Sequence, residues 1–356
     1  MKAHVNLAIF VPHQGCPKDC IFCNQSRITG AERLHRYTEA EIKKMIETGL
    51  STINRNQNVE IAFFGGSFTG LPRSYQRLLL SVAQGYIQSG QVHGIRLSTR
   101  PDYITPSIME FLVSYGVTTI ELGAQSLDEE VLLRAKRGHT PEHVEKAVAT
   151  IRQYPVQLGL QLLPGLPGDT LEKSVLTARQ TAELAPDFVR IYPALVIEDT
   201  ELAIVYREGM YHPLTLEESV KWVGEMWLVF LKAHIPVIRM GLHSSEDLRT
   251  PGTILAGPFH PSFRQLVEEA LYKRLLKRMM EEISDAGSTG ILELTIHPAD
   301  ETSLRGRRNC NLRMIEKGFS GQVILRLDPR CSRRQMNWRF NHGKEVLLTF
   351  LDLNFM

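Results

Sequence analysis

The stretch VEIAFFGGSFTG, Val59 to Gly70, is an apolar, aromatic-rich run broken only by Glu60, with Gly65-Gly66-Ser67 directly behind it. Short runs of this kind that end on a glycine turn read as buried strands. The same grammar recurs along the chain. Candidate strands lie at Val5–Val11, Val59–Phe64, Ile95–Ser98, Thr119–Leu122, Val156–Leu163, Phe188–Ile191 and Val237–Met240. Helical patterns fill the gaps, near 38–54, 72–88, 105–115, 128–153, 169–184 and 215–234. Thr38 stands three residues before Glu41 as in a capping box, and Thr140-Pro141 places an N-cap before a proline at the first helical position. Alternating strands and helices predict an α/β fold with a parallel sheet and right-handed crossovers. Six or seven such units fit a partial (β/α)6-type TIM barrel, with a doubly wound sheet as the alternative.

Residues unsuited to a core fall at the ends of these strands: Gly65-Gly66-Ser67, Ser98-Thr99-Arg100-Pro101, Gly123-Ala124-Gln125, Leu163-Pro164-Gly165 and Tyr192-Pro193. The C-terminal strand ends are where α/β barrels assemble their chemistry. The chain therefore predicts a barrel over 1–250 whose mouth carries the site. Beyond it, Pro251, Gly252, Gly257, Pro258 and Pro261 read as a linker. A helix at about 262–285, a strand at Ile291–Ile296, a helix near 309–317 and a strand at Val323–Leu327 then predict a small basic α+β domain over 258–356.

Three of the five cysteines crowd into Cys16-Pro-Lys-Asp-Cys20-Ile-Phe-Cys23, directly after the first strand. An odd count with this crowding argues for a reducing compartment and a metal site, against a disulfide framework. Three thiolates leave one coordination position open. A zinc ion completed by His13 or His35 fits that description, as does an iron–sulfur cluster that leaves one iron for an external ligand, and the spacing favours the cluster. Cys310 and Cys331 lack partners at metal spacing and read as free thiols. The net charge of +2 excludes little. No apolar run approaches the roughly 18 residues of a membrane span, and the N-terminus shows no signal-peptide pattern, so a cytoplasmic enzyme without membrane contact is expected.

The C-x3-C-x2-C spacing with Phe22 before the third cysteine resembles the signature of the radical S-adenosylmethionine (SAM) superfamily. That resemblance implies a 4Fe–4S cluster on Cys16, Cys20 and Cys23, with SAM on the fourth iron and a 5′-deoxyadenosyl radical formed by its reductive cleavage. It also implies an electron donor such as flavodoxin or ferredoxin. Gly65, Gly66 and Ser67 match the motif whose backbone contacts the SAM amino group. Ser98 stands where relatives commonly carry glutamate. Gln125 and Arg137 match a glutamine and an arginine that contact SAM, and Gln161 stands where coproporphyrinogen-type relatives have aspartate. A guanidinium fork suits a carboxylate and an amide suits ribose hydroxyls.

From Thr99 to about Tyr211 the chain is similar to the radical SAM domain of the Elongator catalytic subunit, which modifies the tRNA wobble uridine. The C-terminal region shows no acetyl-CoA-binding pattern, and the short cysteine spacing is that of the oxygen-independent coproporphyrinogen III oxidase-like branch. Together these imply modification of an RNA such as tRNA. Radical chemistry on a small molecule is the first alternative, and a non-catalytic metal-stabilised RNA-binding protein the second. Arg100, Tyr192 and His243 are candidate substrate contacts at the strand ends. Between Glu301 and Phe340, Arg305, Arg307 and Arg308 lead a run of basic residues facing only Glu301, Glu316 and Asp328. A solvated basic face and a phosphate-binding surface both fit this run. Gly306-Arg-Arg-Asn309 before a helix is loosely similar to a KH-type loop.

Overall fold

The computed structural model describes residues 4–11, 20–24, 36–54, 57–242, 250–284 and 289–355. Its main sheet has seven parallel strands in the order β1 (His4–Val11), β2 (Asn58–Gly65), β3 (Gly94–Thr99), β4 (Val117–Gln125), β5 (Gln157–Leu162), β6 (Phe188–Ile191) and β8 (Val237–Met240). The spatial order follows the chain order, so every right-handed crossover lays its helix on the same face. This excludes the doubly wound alternative, in which helices cover both faces. Strands β1 and β8 do not pair with each other, so the sheet is an open half-barrel.

The two faces of each strand differ as the period of two requires. Val59, Ile61 and Phe63 of β2, Ile95 and Leu97 of β3 and Ile120 and Leu122 of β4 face the helices and are buried in the main core. Their neighbours Glu60, Arg96, Thr119 and Glu121 face the concave lumen and are also buried. Helix starts are locally encoded: the Thr38 backbone N–H donates to Glu41 Oε2 at 2.7 Å, and the Thr140 N–H donates to His143 Nδ1 at 3.1 Å.

The single helix anticipated over 128–153 is two, Glu129–Arg134 and Pro141–Ile151. Between them Lys136 and Gly138 take positive φ, 50° and 73°, which ends the first helix. The stretch 250–262, expected as a linker, is tied back to the barrel by a short antiparallel ribbon, β7 (Val196–Ile197) with β9 (Ile254–Ala256). A helix at Glu201–Arg207 also escaped the sequence reading.

The C-terminal region is an α+β unit. Its mixed sheet runs β11 (Gln322–Leu327), β10 (Ile291–Ile296), β12 (Gln335–Phe340) and β13 (Val346–Thr349). The last two strands were not anticipated. The long helix Phe263–Ser284 packs against the barrel helix Leu216–Lys232, and the buried core is continuous from Leu7 to Leu353. No helix among the described residues is long and apolar enough to cross a membrane.

Candidate functional site

Cys20 and Cys23 are brought together by a turn in which the Cys23 N–H donates to the Cys20 carbonyl at 3.0 Å. The intervening residues anchor that turn. Ile21 donates its N–H to Ala135 O and accepts from Leu202 N–H, while Phe22 packs against two small apolar clusters around Val196 and Leu166. Cys16, His13, His35 and His243 lie outside the described residues. The structure therefore speaks for two of the three cysteines.

An open cleft of about 120 Å3 lies over the strand ends. Its walls bring together Cys20, Phe22 and Cys23 with Gly65, Gly66, Ser67, Ser98, Gln125, Arg137 and Gln161, the residues singled out from sequence. They arrive from the segment 20–24, from the ends of β2, β3, β4 and β5, and, for Arg137, from the break between the two helices that follow β4. Gly65 takes φ 114°, and a Cβ there would lie 2.4 Å from the Val11 carbonyl, so only glycine lets β1 and β2 close up at this point. Ser67 Oγ accepts from the Arg100 N–H at 3.2 Å and lies 2.9 Å from Thr99 Oγ1, fixing the end of β3. A bulge in the β4–β5 register and a φ of 70° at Gln125 turn that side chain into the mouth.

Arg137 sits behind this wall, 7% exposed. Nη2 donates to the Gly123 carbonyl at 2.7 Å, and Nη1 lies 3.4 Å from Cys20 Sγ. The guanidinium thus grips a cysteine sulfur, which the sequence reading did not foresee. Among the described residues, Arg137 Nε and Gln125 Oε1 are buried without a hydrogen-bond partner. Two orphaned polar atoms beside thiolate donors mark a place for a polar group that the protein chain does not itself supply. A Cβ at Gly123 would lie 2.7 Å from the Gln125 amide and 2.9 Å from Arg137, so glycine there keeps the pocket open.

Arg100 also borders the cleft, but its guanidinium forks onto Asp102, Nε and Nη2 each 2.9 Å from a carboxylate oxygen. Burial pushes the Asp102 carboxyl up, yet the Arg100 fork holds it below its ordinary value. His139, two residues from Arg137, meets the Ala124 carbonyl at 3.1 Å. Burial, reinforced by the Arg137 and Arg100 charges, pushes His139 down to about 3, so it is neutral at physiological pH. Tyr192 projects from the end of β6, its hydroxyl 3.1 Å from Arg190 Nη1.

Beneath the cleft the lumen holds an ionic network. Arg96 bridges Glu60 and Glu121 at 2.8 Å each, and Arg190 reaches Glu121 at 2.9 Å. Gln161 Nε2 donates to Glu121 Oε2 at 2.7 Å, linking this layer to the mouth. Burial pushes Glu60 up, but the Arg96 charge and the Thr119 and Thr118 hydroxyls bring it below its ordinary value. Glu60, Glu121, Arg96 and Arg190 were missed from sequence. The available signal was a single charge inside each of four otherwise mostly apolar strands. Ser98 stands beside Glu121 in register, so a carboxylate does occur next to the position where relatives carry glutamate, one strand over and fully engaged.

In the C-terminal region acids from within and outside the basic stretch neutralise much of it. Arg305 pairs with Glu301, Arg307 with Glu269, Arg326 with Glu293, Arg330 with Asp328 and Arg333 with Asp300. Arg308, Arg313, Lys317 and Arg339 are exposed and make no ion pair among the described residues. Arg308 and Asn309 both take left-handed backbone before the helix Cys310–Gly318.

Comparison with known proteins places the chain and its fold in one class. The radical SAM superfamily pattern matches residues 10–180, and the radical SAM C-terminal domain pattern matches 186–273. The chain belongs to the radical SAM superfamily, whose members work with a 4Fe–4S cluster and SAM. Within it, the radical SAM region is homologous to that of tRNA uridine(34) acetyltransferases and Elongator complex protein 3. It is 31% identical over 207 residues to the tRNA uridine(34) acetyltransferase of Methanocaldococcus jannaschii, covering 52% of this chain and 38% of that protein. It is 30% identical over 189 residues to Elongator complex protein 3 of Saccharomyces cerevisiae, covering 47% and 34%. A solved structure of the N-terminally truncated archaeal Elongator protein of Methanocaldococcus infernus shares the fold, with a TM-score of 0.61 at 22% identity, over 77% of this chain and 64% of that one. The chain thus spans little more than a third of the length of these two curated relatives.

The cleft fits the family's cofactors on its own chemistry. Thiolates suit iron–sulfur ligation, and the orphaned Gln125 and Arg137 atoms offer an acceptor and a cationic donor to an amino acid and nucleoside.

Proposed function

We propose that this protein is a radical SAM enzyme that modifies an RNA, with tRNA as its substrate, in a cytoplasmic setting. The bound cofactors supply a one-electron reduction that splits the SAM sulfonium to a 5′-deoxyadenosyl radical. Cys16, Cys20 and Cys23 would hold the cluster. Gly65 and Gly66 give the ligand close access to backbone, Gln125 and Arg137 hold its polar groups, and Phe22 packs the cluster loop against the barrel. An electron donor of the flavodoxin or ferredoxin type completes the requirement. The observation that carries the reading is that one cleft gathers the Cys20–Cys23 turn with Gln125 at the end of β4 and Arg137 beyond it.

Support for the RNA part is the homology to tRNA uridine(34) acetyltransferases together with the unpaired cations Arg308, Arg313, Lys317 and Arg339. The test is anaerobic reconstitution, reduction, and quantification of 5′-deoxyadenosine with and without tRNA. The reading expects 5′-deoxyadenosine from the loaded protein, raised by tRNA and lost in Cys20→Ser. A cluster-loaded protein that yields none is not catalytic in this sense. One that responds only to a small molecule favours the coproporphyrinogen oxidase-like alternative.

A further inference from the structure

Next to the cleft, the lumen carries more positive charge than it uses. Among the described residues its guanidinium groups are Arg96, Arg190 and Arg239, and its carboxylates are Glu60 and Glu121. Arg96 lies between the two carboxylates and Arg190 shares Glu121. Arg239 on β8 stands beside Arg190 on β6, half-buried, with no carboxylate partner among the described residues. A half-buried guanidinium set beside another is opposed by like-charge repulsion, which a bound anion relieves. Arg190 Nε is also buried without an acceptor among the described residues.

The groups around this excess have a common geometry. Arg190 reaches the Tyr192 hydroxyl at 3.1 Å, and the Arg239 charge acts on the same phenol. Arg190 also lies 5.3 Å from the centroid of Phe64, whose ring is 6.3 Å from that of Phe10. Phe10 is 44% exposed although it sits on the lumen face of β1, in register with Phe64. One guanidinium, Arg190, therefore lies over an aromatic face in the lumen, with the Tyr192 hydroxyl bonded to it and Arg239 opposite it in strand register. Oxyanions are taken by arginine forks, and unsaturated bases stack on aromatic rings.

We propose that Arg190, Arg239 and Tyr192 form an oxyanion subsite in the lumen, with Phe64 and Phe10 as the adjoining stacking surface, and that its ligand is a nucleoside phosphate. This deepens the RNA reading: the target nucleotide would enter the half-barrel with its phosphate at the arginine pair.

The test is equilibrium binding of uridine 5′-monophosphate to the cluster-loaded full chain by calorimetry, with inorganic phosphate and acetate as competitors. Wild type should bind the nucleotide, with phosphate displacing it and acetate at equal concentration failing to. Arg239→Gln should weaken binding about tenfold and Arg239→Lys should recover part of the loss. SAM binding should stay within about twofold in both variants, which shows that they fold. Unchanged nucleotide affinity in Arg239→Gln, or no binding by wild type at millimolar nucleotide, overturns the subsite. Displacement by acetate as well as phosphate overturns the phosphate assignment in favour of a carboxylate ligand. If wild type binds no mononucleotide yet still acts on tRNA, the subsite fails and the RNA reading stands. If the mononucleotide binds and tRNA has no effect on 5′-deoxyadenosine yield, the subsite stands and the RNA reading fails.

Discussion

Arg137 shows how much a single side chain decides at this site. Its guanidinium joins Cys20 Sγ, the Gly123 carbonyl and the cleft, so in the proposed function it would bear on the cluster as well as on SAM. Hydrogen bonds and charge near cluster sulfurs set the reduction potential. Arg137→Gln should therefore lower the cluster's midpoint potential in the absence of SAM, and Arg137→Lys should lower it less, as an EPR-monitored redox titration would show. His139 gives a second prediction. Its native value of about 3 lies well below the unfolded value near 6.5, so the unfolded chain binds more protons between these limits. The stability contribution is complete above about pH 6.5 and falls as pH drops toward 3, at up to about 1.4 kcal/mol per pH unit. In His139→Gln the decline of unfolding free energy between pH 6.5 and 5, measured in urea, should be shallower than in wild type. An equal slope in the two proteins would exclude His139 as its source. The identities of Gln125 and Arg137 were legible because they sit in a recognisable strand-end motif. The grip on Cys20 was not, because it depends on how a loop after β4 folds back across the barrel.

At the scale of elements, the strand-end glycines and the helix break do the positioning. Gly65→Ala would place a Cβ 2.4 Å from the Val11 carbonyl at φ 114°, and should cost about 2–4 kcal/mol in urea unfolding. The loss of close β1–β2 approach should also reduce the iron retained after reconstitution. A variant of wild-type stability and iron content would show that the approach is dispensable. The seven strands were readable from their apolar runs and turn residues, several to within a residue or two. The break between Glu129–Arg134 and Pro141–Ile151 was signalled by Thr140-Pro141, where the second helix begins, although the sequence reading ran one helix over 128–153. Positive φ at Lys136 and Gly138 interrupts the pattern, and the interruption turns Arg137 and His139 inward. Glu60, Arg96 and Glu121 were obscured for a related reason. A half-barrel buries both faces of its strands, so lumen charges look like solvent-facing ones in sequence.

For the whole molecule, the C-terminal unit is fastened to the barrel by aromatic contact and by buried ion pairs. Phe350 meets Trp227 at 5.8 Å and Tyr272 at 4.9 Å between ring centroids, both edge-on. Phe350→Ala should cost about 3–5 kcal/mol of stability. Pairing within this unit also redistributes the basic surface. Reversing Arg308 and Arg313, which have no acidic partner among the described residues, should weaken tRNA binding and flatten its salt dependence. Reversing Arg326, already paired with Glu293, should do so less. Equal effects from both changes would place the basic surface outside RNA recognition. The most direct measurement of the central claim is the EPR spectrum of the reduced, reconstituted protein before and after addition of SAM. A cluster on three cysteines with an open iron in this cleft predicts a 4Fe–4S signal that changes shape when SAM binds, and a loss of that response in Gly123→Val. A reduced cluster whose spectrum is identical with and without saturating SAM would contradict it.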